Sequence, residues 1–73
     1  MKEKYYFVSQ NIKSYRVRAG YSQEDVANIL GVSRKTYFEY ENNPQKTKLE
    51  TYQKLSEIFK CNVSDFFIEL NVT

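Results

Sequence analysis

Between Gln23 and Tyr40, seven positions carry the residue types that two short helices need if they are to cross steeply through a tight turn. Helices approach closely only where the residue at the crossing is small, and Ala27 stands there. The turn requires a residue that accepts a left-handed backbone, and Gly31 follows four positions later. Val26, Leu30, Val32, Tyr37 and Tyr40 supply the apolar faces around these two. A buried alanine or a turn glycine alone carries no information. All seven in one register limit the chain to a helical hairpin of defined shape, around which the rest must pack.

The flanking sequence reads as further helices. Val8, Ile12 and Tyr15 predict a first helix from Tyr6 to Ala19, with Arg16 and Arg18 in its last turn and Gly20 as a left-handed stop. Ser22 with Asp25 forms a capping box for the second helix, and Ser33 caps a third running from Arg34 to Asn42. Asn42-Asn43-Pro44 marks a break, where an Asn tolerates positive φ. Thr47 with Glu50 predicts a capping box for a fourth helix whose inner face is Leu49, Tyr52, Leu55 and Phe59. Asn62 with Asp65 predicts a short fifth helix containing Phe66 and Phe67. The expected fold is therefore all-α: five helices in one domain over residues 1–73, with the central hairpin at 22–42. After Phe66, apolar and polar residues alternate with period two, which suits an extended tail over 68–73. Such a segment either pairs with its counterpart in a second copy of the chain or folds back on the core while its end frays.

Composition narrows the function. Seventy-three residues allow only a thin core, and seven Tyr with five Phe give that core more buried area per residue. There is no His and only one cysteine, Cys61, so neither a Cys/His metal site nor a His-based triad can be assembled. Gly20 and Gly31 are too far apart for a phosphate-cradling loop. An enzyme is not expected, nor a cofactor, a metal or a small-molecule ligand. Cys61 reads as a core residue. A lone cysteine, the lack of a long apolar run and an amino terminus without signal-peptide character lead to the expectation of a cytoplasmic protein. The net charge of +2 is unevenly spread: nine Lys/Arg face five acids up to residue 48, and two face four thereafter. The basic character coincides with the hairpin.

The residues Ile12-Lys13-x-x-Arg16, Gly20-Tyr21-Ser22-Gln23-Glu24-Asp25-Val26-Ala27, Leu30-Gly31-Val32-Ser33-Arg34-Lys35-Thr36-Tyr37 and Tyr40-Glu41-Asn42 resemble the phage repressor and Cro (XRE) family of helix-turn-helix regulators. Leu49-Glu50-Thr51-Tyr52-x-Lys54-Leu55-Ser56-Glu57-Ile58-Phe59 is similar to that family's fourth helix, so the resemblance spans residues 8 to 67. Asn43 departs from it, since the family commonly has Gly there. The resemblance implies a transcriptional regulator, a repressor, that binds a double-stranded DNA operator as a homodimer with its third helix in the major groove. Two other functions fit the same residues: an antitoxin-like protein-interaction module that also binds DNA, and an architectural DNA binder without sequence preference.

On this reading, Arg34, Lys35, Thr36, Phe38 and Glu39 face the bases. Arg34 and Lys35 sit in the first turn of helix three, where the dipole disfavours cations, so helix stability does not account for them. Arginine matches the O6/N7 edge of guanine. Thr36 either contacts DNA or stabilises the turn. Glu39 either accepts from cytosine N4 or pairs with Lys35. Phe38 points outward, to a thymine methyl, to a dimer mate or towards helix one. The resemblance implies phosphate contacts from Gln23, Ser33, Asn42, Lys46 and Lys48. For Ser33 and Asn42 the other reading is a helix cap. For Gln23 the resemblance also implies that it braces a side chain of the recognition helix. Arg16 and Glu41 correspond to a family ion pair between helices one and three.

Overall fold

Val8, Ile12 and Arg16 recur every four residues on one buried stripe, and this makes the first helix the wall against which the chain assembles. A computed structural model describes residues 4–69. Its α-helices are α1 (Tyr6–Arg18), α2 (Gln23–Leu30), α3 (Arg34–Asn42) and α4 (Leu49–Phe59), with 3-10 turns at Pro44–Lys46 and Val63–Phe67. No strand occurs among the described residues. Helix α2 packs on α3, α3 packs on α1, and the Val63–Phe67 turn closes against both α1 and α4.

Three of the four helices end in the same way. At the end of α1 the Tyr21 N–H reaches the Arg16 carbonyl (3.1 Å) and the Gly20 N–H reaches that of Val17 (3.0 Å). After α2 the Val32 N–H bonds to Ala27 and the Gly31 N–H to Asn28; after α4 the Cys61 N–H bonds to Ser56. This arrangement satisfies the last carbonyls but needs one residue at positive φ. Gly31 takes φ 75°, and a Cβ there would meet nothing within 4 Å, so backbone conformation rather than space demands glycine. Lys60 takes φ 57° without being a glycine, and nothing in its residue type signals that conformation.

The start of α2 follows the expected chemistry. The Asp25 N–H donates to the Ser22 hydroxyl (3.0 Å), and the Ser22 N–H donates to the Asp25 carboxylate (2.9 Å). The Ser22 N–H, and secondarily its hydroxyl, hold the Asp25 carboxyl below its ordinary pKa.

Four expectations need correction. The expected fifth helix is a 3-10 turn, Val63–Phe67, so four α-helices rather than five lie among the described residues. Five residues offer few i to i−4 bonds. The turn is held instead by the Asp65 N–H on the Asn62 carbonyl, and by the Asn11 amide donating to the carbonyls of Phe66 (2.9 Å) and Ile68 (2.8 Å). Thr47 does not cap α4, whose cap is Lys48. The Thr47 hydroxyl turns back to the carbonyls of Asn43 (2.9 Å), which also accepts the Lys46 N–H, and of Tyr40 (3.2 Å), whose i+4 residue Pro44 has no N–H to offer. Asn43 has φ −132° and ψ 66°, not a positive φ, and the following proline keeps it out of the helical region. Leu49, expected on the inner face of α4, is exposed, and Phe66 and Phe67 lie in the 3-10 turn. Ile68 and Glu69 follow in neither helix nor strand, and the rest of the alternating tail, residues 70–73, lies outside the described residues.

Phe66 is the centre of the core. It is fully buried and meets Tyr15 (5.9 Å between ring centroids), Tyr52 (6.2 Å) and Phe59 (6.4 Å). Two of these contacts are edge-to-face, the arrangement that ring quadrupoles favour. Val8, Ile12, Val26, Ala27, Tyr37 and Leu55 complete the buried cluster. Cys61 packs against this core half-buried, and burial, with the Asp65 charge second, raises its thiol pKa.

Candidate nucleic-acid interface

The exposed face of α3 is set by what its other face buries. Tyr37 and Glu41 are both buried one turn apart, and Tyr40 is half-buried beside them. Arg34, Lys35, Phe38, Glu39 and Asn42 are thereby left on the solvent side. Ser33 begins the helix: its hydroxyl accepts the Thr36 N–H (3.0 Å) and donates to the Thr36 side-chain oxygen (2.9 Å). Thr36 is half-buried beside it.

Beneath this face lies a buried network centred on the Glu41 carboxylate. The Arg16 Nε donates to Glu41 Oε1 at 2.8 Å, and its Nη2 reaches Oε2 at 3.5 Å. The Tyr37 hydroxyl donates to Oε1 (2.8 Å), and the Gln23 amide donates to Oε2 (3.0 Å). Arg16 also spends Nη1 on the Tyr21 carbonyl (2.8 Å). One carboxylate thus joins α1, α2 and α3, and Arg16 ties in the connection between the first two. Its side chain is 3% exposed and that of Arg16 10%. Burial first, and the Glu41 charge second, push the Tyr37 phenol well above its ordinary pKa, with Arg16 opposing. The hydroxyl is a fixed donor at neutral pH.

The remaining residues singled out from the sequence are placed as follows. Glu39 lies 3.4 Å from the Asn43 amide rather than pairing with Lys35. The Asn42 amide donates to the Phe38 carbonyl (3.0 Å), closing the end of the helix. Lys46 and Lys48 are exposed on the connection that follows α3. Gln23 is half-buried at the start of α2. The helical hairpin brings Gln23 and α3 together through the bond to Glu41. Two contributors escaped the sequence reading. Tyr37 was read only as an inward apolar residue, although a buried phenol four residues before a glutamate should have suggested the bond. Asn11, which holds the carboxy-terminal turn to α1, gave no signal at all.

What the arrangement can do chemically is present two cations, one carboxylate and one ring on a short helix whose orientation is locked from behind. No cluster of metal-binding residues lies among the described residues.

The helix-turn-helix family profile matches residues 12–66 of this chain. The chain is 39% identical over 57 residues to the cryptic phage CTXphi transcriptional repressor RstR of Vibrio cholerae, covering 78% of this chain and 51% of that protein. It is 42% identical over 48 residues to a Thermococcus gammatolerans protein named "Putative HTH-type transcriptional regulatory protein", covering 66% of this chain and 15% of the relative. A similarly named Saccharolobus islandicus protein is 44% identical over 48 residues, with 66% and 16% covered. The chain therefore spans about half of the phage repressor and about a sixth of the archaeal proteins. No solved structure matches the chain.

Proposed function

Because the chain belongs to the helix-turn-helix family, we propose that it binds double-stranded DNA sequence-specifically and regulates transcription as a repressor, with α3 in the major groove. The observation that carries this reading is the display of Arg34 and Lys35. Both are exposed in the first turn of α3, against the helix dipole, on a helix held rigid by the Glu41 network. Arg34 reads guanine, and Lys35, Phe38 and Glu39 complete the base-facing surface. Gln23, Lys46 and Lys48 grip phosphate. Asn42 joins them with the second N–H of its amide, and Ser33 by turning its O–H from the Thr36 side chain to phosphate while still accepting the Thr36 N–H. The function is binding and not catalysis, and its setting is the cytoplasm. No helix among the described residues is long and apolar enough to cross a membrane.

The working form is a homodimer on a two-fold site. Leu49, Phe67 and Ile68 are large apolar side chains exposed on the elements after Pro44, and they support a protein contact on that side of the molecule. A different protein seated on that surface would correspond to an antitoxin-like module.

The test is selection of bound sites from random duplexes, followed by titration of the selected site against salt. A dimer making roughly 6–10 phosphate contacts should lose affinity with a log–log slope of about −5 to −9. Arg34→Ala should cost about 1–3 kcal/mol and relax preference at one base pair per half-site. A flat salt response would exclude DNA binding, and an Arg34→Ala loss equal on every sequence would remove Arg34 from base reading.

A further inference from the structure

Phe38 is the one large apolar side chain on the solvent side of α3, and it is 47% exposed. Its ring has no aromatic or cationic partner among the described residues, and its backbone is fixed by the Asn42 amide on its carbonyl. Arg34 lies one helical turn before it and Glu39 directly after it, both exposed. A phenyl ring neither donates nor accepts a conventional hydrogen bond, so it cannot read the polar edge of a base pair. The apolar feature that the major groove offers is the methyl group at pyrimidine C5.

Resting on the DNA-binding reading above, we propose that Phe38 is a specificity-determining contact for a pyrimidine C5 methyl group, carried by thymine or by 5-methylcytosine. Four residues of helix rise about 6 Å, close to two base-pair steps of about 3.4 Å, so the methyl lies within two steps of the guanine read by Arg34. Glu39 sharpens the choice between the two bases. Its carboxylate accepts from the N4 amino group of a cytosine and is repelled by the O4 of a thymine. A base edge carrying both a methyl and an amino donor, that of 5-methylcytosine, offers one partner to Phe38 and one to Glu39.

The experiment starts from the duplex enriched by random-site selection with the full chain. Each thymine is replaced in turn by deoxyuridine and each cytosine by 5-methylcytosine, and affinity is measured by fluorescence anisotropy. Burial of one methyl should change affinity about fourfold at one position per half-site. A thymine-to-uracil loss identifies thymine as the source, and a gain on methylating cytosine identifies 5-methylcytosine. Phe38→Ala should abolish the methyl increment while leaving the melting temperature and the salt slope unchanged. Because the increment is read on the DNA side with the unaltered protein, it does not depend on how the variant folds. No increment at any position, or an increment that survives in Phe38→Ala, overturns the proposal and leaves DNA binding standing. Failure to enrich any duplex overturns both.

Discussion

Replacing Arg16 by methionine removes the only cation, among the described residues, from a carboxylate that joins three helices. Methionine keeps the unbranched apolar stem of the side chain, so the packing of that stem along α1 changes little. Glu41, with its side chain 3% exposed, would retain only the Tyr37 hydroxyl and the Gln23 amide, and the Tyr21 carbonyl would lose its donor. Breaking a buried ion pair from one side costs about 3–5 kcal/mol. A 73-residue domain has a total stability of roughly 4–11 kcal/mol. Arg16→Met should therefore lose about a quarter or more of the stability and lower the melting temperature by about 20–30 °C. Urea titration followed by far-ultraviolet circular dichroism measures it directly. The companion variant Arg16→Met with Glu41→Leu and Tyr37→Phe removes every charged or hydroxyl member of the network at once, and it should recover most of the loss. A single Arg16→Met variant within about 1 kcal/mol of the parent would refute the dependence of Glu41 on Arg16.

Three further outcomes are expected. Tyr37 ionises at higher pH in the folded than in the unfolded chain, so its contribution is intact below the ordinary tyrosine pKa and is lost as pH rises above about 10. The stability advantage of the parent over Tyr37→Phe, about 1.5–3 kcal/mol for a bond to a charged acceptor, should shrink over that alkaline window in urea titrations, and a pH-independent difference would contradict it. Lys60→Gly should raise stability by about 0.5–1 kcal/mol, because glycine takes the left-handed backbone without the strain that lysine bears; an unchanged or lower melting temperature would argue against strain at that position. Deleting residues 69–73 should lower the molar mass measured by sedimentation and weaken operator binding if the tail holds the dimer; a truncated chain that stays dimeric would place the contact on the surface around Leu49 and Phe67.

Much of the architecture was legible because it follows from local chemistry. Ser22 with Asp25, Ser33 ahead of Arg34, and Gly20 and Gly31 after their helices act on backbone groups within a few residues, so their effect can be read in linear order. The same holds for the register of Ala27 and Gly31, which dictates a hairpin before any partner is known. The solvent face of α3, and with it the candidate base-reading set, followed from helical periodicity once Tyr37 and Tyr40 were assigned inward.

Local chemistry misled where a distant group competed for the same atoms. Thr47 looks like a cap for α4, yet its hydroxyl serves the carbonyls of Tyr40 and Asn43, because folding brings the unsatisfied end of α3 within its reach. Phe66 and Phe67 look helical or extended. Their turn is 3-10 because Phe66 must enter between α1 and α4, and because Asn11, fifty-five residues away in sequence from Phe66, supplies the donors that the turn's carbonyls lack. Lys60 carries no sign of the left-handed conformation that the end of α4 imposes on it. By itself the sequence determined the helical hairpin, its caps and the residues it shows to solvent, all of which are settled over one or two helical turns. Only the tertiary structure decided how the carboxy-terminal turn is built and which donors surround Glu41. Those depend on hydrogen bonds between residues far apart in the chain, and a buried polar group takes whichever partner the packing brings to it.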